Sequence, residues 1–449
     1  MNIIKKVTKY FIVLLIFIIL IYSKLGYSKK KQTILINDYE IEKFINELIY
    51  PIVNSSNLNL KEPYFLLTLD KTPNAYTNET EQLFINTGLI TFIKNPESLI
   101  GVIAHEIAHI TARHVSKRRS NIDKKKEWFE ISNVLSLSAA VLAKNSDIFL
   151  GSNLASSQLI KTNISQYSKN QEREADKIAI EYLERAQITT SGLLDLLESL
   201  QIANEKKGIK ADKFNNLTHP FKSERIAYIK KFRRNLKHNS SFYNKKIHER
   251  FRFIKAKIIG YTYELEDVKS IYSKNNSVEK KYALSIAYAR NGFINKSIEN
   301  INDLIIKFPN NPYFYETKGE ILLNFGYVSE SNQFFKKSLN IDESNDYIRL
   351  KLIKNLSKNI KNEDDAEKIM IQISKFKLDI WKNNEILNLQ LKISEYLNQE
   401  DLFYESLAYI EIKKGNLDLA KKYFEYVIEI TDNRERAESS KKNLDLLNK

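Results

Sequence analysis

The spacing of apolar residues predicts a helix-rich fold with a small sheet in the first half of the chain. Apolar residues recur at helical spacing over residues 37–54, which predicts an amphipathic helix (Ile41, Phe44, Ile45, Leu48 and Ile52). The apolar runs at residues 64–69 and 82–86 have the length and composition of short strands. The polar stretch between them, residues 70–81, is rich in Asn and Thr and contains Pro73, which predicts a loop.

Longer helices are predicted to follow this sheet. Pro96 is well placed in a first helical turn, and the apolar pattern after it predicts a helix that reaches about Lys117. Residues 128–143 and 148–185 are also predicted to be helical. The apolar part of the first of these segments is too short to span a bilayer, which favours a core helix or a helix that covers a cleft.

A different pattern begins near residue 279 and predicts repeated pairs of helices. Gly292 and Ser297 stand at the spacings of a tetratricopeptide repeat, and Gly326 and Ser331 recur one period of about 34 residues later. The pattern returns at Gly415 near the end of the chain. Helix pairs that cannot bury their apolar faces alone must stack, so residues 279–449 are predicted to form an α-solenoid of tetratricopeptide repeats.

Composition and charge exclude several classes of function. The chain of 449 residues has no cysteine, which excludes disulfides, thiolate metal ligands and a cysteine nucleophile. Its formal net charge of +15 is concentrated in two basic islands. Residues 1–31 carry seven lysines and no acid, and residues 206–257 carry 17 Lys+Arg against three acids. The rest of the chain is slightly acidic, so the charge does not indicate a nucleic-acid-binding protein.

The first basic island belongs to a predicted targeting segment. Lysines precede an apolar run at residues 10–22, which fits a signal peptide and is shorter than the ~20 residues that span a bilayer. Gly26 and Ser28 are small residues suited to cleavage after Ser28, so residues 1–28 are predicted to be a signal peptide. The localisation predicted from this segment is the periplasm. The alternative is an uncleaved anchor in the inner membrane, with the rest of the chain facing the periplasm.

The strongest chemical signal is the pentapeptide His105-Glu106-Ile107-Ala108-His109. On a helix its two histidines lie about 40° apart on one face, which suits two imidazole ligands of a single Zn²⁺ ion. Glu106 stands beside them and is the candidate that takes a proton from the attacking water. His114 would lie about 180° from His105 on the same helix, so we expect it to miss the metal and to lie at the surface or in a second layer.

A tetrahedral catalytic zinc site needs a third protein ligand, and a carboxylate from another helix is the best candidate. The segment from Gln171 to Asp176 supplies carboxylates in a helical context. Glu172 and Asp176 share a face, so Glu172 is predicted to bind zinc while Asp176 accepts the free N–H of a ligating imidazole. Glu174 points elsewhere and remains an alternative ligand.

These residues resemble a known family of enzymes. His-Glu-x-x-His combined with Glu-x-x-Ala-Asp is the pairing found in the gluzincin metallopeptidases that include HtpX and the CAAX prenyl protease. Within that group the chain is most similar to the bacterial beta-barrel assembly-enhancing protease type, a periplasmic peptidase followed by tetratricopeptide repeats. Asn74-Ala75-Tyr76 resembles the strand on the substrate side of this family, although the Pro-Gly-Gly turn that usually follows it is replaced here by residues 77–81.

The resemblance also gives His219 a role. Pro220 favours an extended conformation at His219, which predicts a loop. In the family the matching Thr-His-Pro histidine lies by the active site. The resemblance therefore implies that His219 either occupies the open zinc position as a switch or stabilises the oxyanion.

The predicted architecture is mainly α. It has an α+β gluzincin-type peptidase domain (residues 29–250), a linker helix (251–278) and a repeat domain (279–449). We expect an endopeptidase with one Zn²⁺ per chain and polypeptide substrates, an extended substrate adding a strand beside residues 82–86. The resemblance implies clients among outer-membrane β-barrel proteins, with the repeats contacting their assembly machinery. The basic segment 206–257 is either a solvated linker or a peripheral membrane contact. The alternative function is a non-proteolytic chaperone or scaffold with a latent zinc site.

Overall fold

The computed structural model describes residues 34–56, 58, 64–78, 80–114, 167–206, 223–233, 244–273, 277–358, 360–376 and 383–448. The predicted signal peptide, the predicted helix at residues 128–143 and the predicted site residue His219 lie outside the described residues. Among the described helices, none combines the length and the apolar character needed to cross a membrane.

The first half of the described chain combines four short strands with seven helices. These elements are β1 (Leu35–Ile36), α1 (Tyr39–Ser56), β2 (Phe65–Thr68), β3 (Ala75–Thr77), β4 (Leu83–Asn86), α2 (Thr87–Phe92), α3 (Pro96–Thr111), α4 (Lys169–Arg185), α5 (Ser191–Lys206), α6 (Ser223–Arg233) and α7 (Lys245–Thr262).

The four strands form one sheet in the order β1-β2-β4-β3. β4 pairs in parallel with β2 and antiparallel with β3, where Ala75 lies opposite Ile85. Because β4 is paired on both sides, the prediction that residues 82–86 form the edge for an added strand is wrong. Within the described residues the sheet ends at β3. The prediction of a loop over residues 70–81 is also wrong at β3, whose three residues are too few to give an alternating apolar pattern.

Helix α3 is the element that positions the candidate site. Asn95 caps it, since its side chain accepts a hydrogen bond from the backbone N–H of Ser98, and Pro96 occupies its first turn as predicted. The helix ends at Thr111, earlier than the prediction of Lys117, because Arg113 adopts a positive φ of 52° that no α-helix can continue. Almost all of α3 is buried between the sheet, α1, α4 and α5, in one apolar core.

The second half of the described chain is helical throughout. Its elements are α8 (Leu265–Ile271), α9 (Val278–Arg290), α10 (Ile294–Lys307), α11 (Pro312–Asn324), α12 (Val328–Ile341), α13 (Asp346–Ser357), α14 (Glu363–Ser374), α15 (Asn384–Tyr396), α16 (Glu400–Lys414), α17 (Leu417–Ile430) and α18 (Arg434–Leu447). The predicted fold class is confirmed in its main features, which are a mostly helical chain, a small sheet and a long helical C-terminal region.

Three glycines mark the turns between successive helices in this region. Gly292, Gly326 and Gly415 have φ values of 80–85°, which residues with a side chain rarely adopt. Ser297 and Ser331, early in the helices that follow the first two turns, are completely buried. Small residues at these positions allow paired helices to approach closely. Each pair consists of two helices joined by a short turn, as the repeat pattern predicts. The assignment of these pairs to the tetratricopeptide class stays a prediction.

Helix α7 joins the two halves because it contributes to both of their cores. Phe251 and Ile254 belong to the core around the sheet, whereas Phe253 and Ala256 belong to the core of the first repeats. The predicted domain boundary between residues 250 and 251 therefore falls inside one continuous helix.

The junction also contains a buried cluster of charges around Lys257. Its ammonium nitrogen lies 2.8 Å from Asp38, 3.0 Å from Glu40 on α1 and 3.8 Å from Glu316 on α11. The Tyr282 hydroxyl donates a hydrogen bond to the same Glu40 carboxylate. Lys257 belongs to the second basic island, so that island is not a uniformly solvated surface.

Candidate metal centre and substrate cleft

Two helices bring the three predicted zinc ligands together. His105 and His109 lie one turn apart on α3, and Glu172 lies in the first turn of α4. The Nε2 atoms of the two histidines are 3.1 Å apart. The Glu172 carboxylate lies 3.3 Å from Nε2 of His105 and 3.7 Å from Nε2 of His109. All three side chains are buried.

This triangle of donor atoms fits a zinc ion. Zinc bonds of about 2.0–2.2 Å in tetrahedral geometry place neighbouring ligand atoms roughly 3.3–3.6 Å apart. The two imidazole nitrogens are 3.1 Å apart, and the Glu172 carboxylate lies 3.3 Å from His105 through Oε2 and 3.7 Å from His109 through Oε1, which are separations close to this spacing. Two neutral imidazoles with one carboxylate form a donor set typical of catalytic zinc, which keeps a further position for water or substrate.

Asp176 and Arg225 surround the ligand His105. Nδ1 of His105 lies 3.0 Å from Oδ1 of Asp176, which is the geometry predicted for a carboxylate that orients a ligating imidazole. Arg225, on α6, donates from Nε and Nη2 to the two oxygens of Asp176 at 2.8 and 2.7 Å. Its Nη1 lies 2.8 Å from Glu172, so one guanidinium contacts both carboxylates.

The charges of this cluster shift its pKa values in opposite directions. Burial raises the pKa of Asp176, but the Arg225 guanidinium and the hydrogen bond from His105 outweigh it, so the net pKa is lowered. Burial and Arg225 both lower the pKa of His105, and its contacts with Asp176 and Glu172 outweigh them and raise it. The Asp176 carboxylate therefore stays ionised beside the ligand His105.

Arg225 is the residue of this cluster that sequence reasoning does not identify, because the basic segment 206–257 predicts a solvated linker or a membrane contact and not a buried ion pair. A signal was available. Arg225 shares one face of α6 with Ile229, four residues on, and Ile229 is completely buried. A charged residue on a buried helix face is nearly always paired.

The second histidine of the motif has different neighbours. Tyr167 stacks on His109 with ring centroids 3.7 Å apart, and its hydroxyl lies 3.2 Å from the Thr77 hydroxyl on β3. His114 is buried, and its Nδ1 lies 2.9 Å from Nδ1 of His109. The expectation of a surface position for His114 is thus wrong, whereas its second-layer position agrees with the structure. Its Nε2 lies 3.0 Å from Glu174, the alternative ligand, which lies outside the ligand cluster.

Glu106 lines a cleft next to these ligands. The cleft encloses about 520 Å³ of empty space, including space open to solvent. Glu106, His105 and Arg225 line the cleft together with Asn74 and Ala75 at the start of β3. Its apolar lining comes mainly from α5 (Leu193, Leu196, Leu197 and Leu200).

Comparisons with known proteins identify the region that carries this site. Residues 36–233 match the family model of peptidase family M48. The beta-barrel assembly-enhancing protease of Yersinia pestis is 22% identical over 297 residues, which cover 64% of this chain and 59% of that protein. The protein of the same name from Escherichia coli strain K12 is 26% identical over 196 residues, covering 43% of this chain and 39% of that protein.

A eukaryotic protein is also similar. The mitochondrial metalloendopeptidase OMA1 of Schizosaccharomyces pombe is 27% identical over 163 residues, covering 36% of this chain and 44% of that protein. The chain spans about two-fifths to three-fifths of the length of these curated relatives. His105, His109, Glu172 and Arg225 all lie inside the matched region. Residues 36–233 of the chain therefore match peptidase family M48, and in this region the chain is similar to the beta-barrel assembly-enhancing proteases.

Proposed function

We propose that this chain is a zinc-dependent endopeptidase of the cell envelope that degrades misfolded or misassembled proteins. The observation that carries the proposal is the cluster of His105, His109 and Glu172 donor atoms, of which His105 lines a cleft together with Glu106. The match to peptidase family M48 supports the same conclusion. We propose one Zn²⁺ per chain, held by these three residues.

Each residue of the site then has a defined task in peptide hydrolysis. Bound zinc supplies a Lewis acid that polarises the scissile carbonyl and lowers the pKa of water. Glu106 takes the proton from the attacking water and delivers it to the leaving amine. Asp176 orients His105 through Nδ1, and Arg225 contacts the carboxylates of both Asp176 and Glu172 and holds them in place. His219 is proposed, from the family resemblance alone, to act as a switch or an oxyanion donor.

An extended substrate fits along the cleft. Ala75 at the start of β3 lines the cleft, so an extended substrate would lie along β3 beside it. A side chain next to the scissile bond would enter the cleft and meet the leucines of α5. We therefore propose that the enzyme favours an apolar residue at one of the two positions that flank the cleaved bond.

The clients are proposed from the relatives. Two similar proteins are named beta-barrel assembly-enhancing proteases, so we propose outer-membrane β-barrel proteins as clients and a chaperone-like role in their assembly. The C-terminal helix pairs would bind the assembly machinery. A periplasmic location after removal of residues 1–28 and a peripheral membrane contact through segment 206–257 belong to the same proposal. Exposed residues such as Lys231 could make this membrane contact, whereas Arg225 and Lys257 could not because they are buried.

Digestion of an unfolded polypeptide tests this function. Purified protein is incubated with casein and with an unfolded outer-membrane β-barrel protein, and the products are sequenced by mass spectrometry. We expect internal cleavages that a chelator stops and added zinc restores, and no cleavage by His109→Ala. If wild type and His219→Ala both bind the β-barrel protein without cleaving either substrate, the proposal fails and a non-proteolytic chaperone is the function.

A further inference from the structure

The two zinc-ligating histidines differ in what contacts their second ring nitrogen. For His105 that nitrogen lies directly against the Asp176 carboxylate. For His109 it lies 2.9 Å from another imidazole, His114, whose far nitrogen lies 3.0 Å from Oε2 of Glu174. A chain of imidazole, imidazole and carboxylate therefore runs from the ligand His109 to the half-exposed side chain of Glu174 on α4.

A strained turn places His114 in this chain. On a continued helix, His114 would lie about 140° around the axis from His109 and could not reach its ring. Instead Arg113 has a φ of 52°, a conformation that costs a residue with a side chain on the order of 1–3 kcal/mol. The turn returns His114 to a buried position against His109. Backbone strain at a candidate site is retained where the geometry that it produces is needed.

The positions of the protons follow from the geometry. Nε2 of His109 faces His105 and Glu172, so metal binding uses Nε2 and leaves the proton on Nδ1. His109 then donates to Nδ1 of His114, which must carry its own proton on Nε2 and donate it to Glu174. A carboxylate at the end of such a chain raises the basicity of the ligand and fixes its orientation.

We infer that His114 and Glu174 are positioning residues for the metal ligand His109. This inference rests on the proposed zinc site. Partners of this kind typically contribute 10–100-fold to metal affinity. His114 and Glu174 would thus have a role at the metal centre although neither of them is a metal ligand.

Zinc retention against a graded chelator series tests the inference. His114→Leu removes the acceptor, and we expect a 10–100-fold loss of zinc affinity. His114→Asn places an amide oxygen where Nδ1 lies, so it should restore affinity to within a few-fold of wild type. Glu174→Ala removes only the outer carboxylate from a half-exposed position, where misfolding is not expected, and should lower affinity by a smaller factor. Glu184→Ala, on the same helix and exposed, is the matched control and should retain zinc as wild type does.

Thermal unfolding of the chelator-treated variants separates positioning from simple structural support. The inference is overturned if His114→Leu retains zinc like wild type, or if His114→Asn binds zinc as weakly as His114→Leu while unfolding at the wild-type temperature. Wild-type protein that carries no zinc would overturn the proposed function itself.

Discussion

Replacing Lys257 by Met should destabilise the junction between the first half of the chain, which contains the sheet, and the helical second half. Met has a similar length but no charge, so the substitution leaves Asp38, Glu40 and Glu316 buried without their shared counter-ion. Lys257 is completely buried, and its carboxylate partners are exposed by only 1–4%. Removal of one partner from a buried ion pair typically costs about 3–5 kcal/mol. Against a typical domain stability of ~5–15 kcal/mol, the loss should be large.

Denaturant unfolding followed by circular dichroism measures this effect. We expect the midpoint of Lys257→Met at pH 8 to fall by the equivalent of about 3–5 kcal/mol. The matched control is Lys269→Met, which removes an exposed lysine paired with Glu266 and should leave the midpoint close to that of wild type. Adding Glu40→Gln to Lys257→Met should recover part of the loss, because one buried charge is removed.

The pH dependence gives a further check on the same reasoning. Burial raises the pKa of Glu316 to about 8 even with Lys257 present, and without the lysine the carboxylates should be still harder to ionise. A carboxylate whose pKa is raised by folding stabilises the folded state at low pH and loses this contribution as pH rises. The deficit of Lys257→Met should therefore shrink from pH 8 towards pH 5. Equal stability of Lys257→Met and wild type at pH 8 would refute the reasoning.

Three further outcomes follow from the site and the junction. Arg225→Gln leaves Asp176 and Glu172 buried without a counter-ion, so zinc retention should drop and the free energy of unfolding should fall by about 3–5 kcal/mol. Wild-type values in both measurements would contradict this role of Arg225. Leu200→Trp narrows the cleft, so cleavage of a peptide library should shift from large to small apolar side chains at one position beside the cleaved bond. An unchanged cleavage profile would contradict the proposal that this cleft binds that side chain. Burial raises the pKa of Glu42 from its usual 4.5 to about 7, so the free energy of unfolding of the wild type should fall as the pH rises from 4.5 to 7. In Glu42→Gln this fall should be smaller by about 1–3 kcal/mol, as measured by denaturant unfolding across that pH range.

Periodicity and motif spacing were sufficient for much of this molecule. Two histidines four residues apart on a buried helix must share a face, and Glu172 and Asp176 share one for the same reason, so their placement depends only on helical geometry. The predicted strands at 64–69 and 82–86 and the glycine turns also appear in the structure. Each of these predictions needed only local information.

The features that the sequence did not reveal depend on tertiary contacts. The contact of His114 with His109 was not predicted, because regular helical geometry ends at Thr111 and Arg113 has a positive φ. The wrong edge strand has a similar origin, since pairing order is set by contacts across the sheet and β3 has only three residues. The buried roles of Arg225 and Lys257 come from carboxylates distant in sequence, which a local charge pattern cannot identify.

The most direct test of the central claim compares wild type with Glu106→Gln for zinc content and casein hydrolysis. Glutamine keeps the size of Glu106 but cannot take a proton, and general-base catalysis typically contributes about 10²–10⁴-fold. The account predicts one zinc per chain in both proteins and hydrolysis at least ~100-fold slower in the variant. Equal hydrolysis rates, or a wild-type protein that digests casein after its zinc is removed, would contradict it.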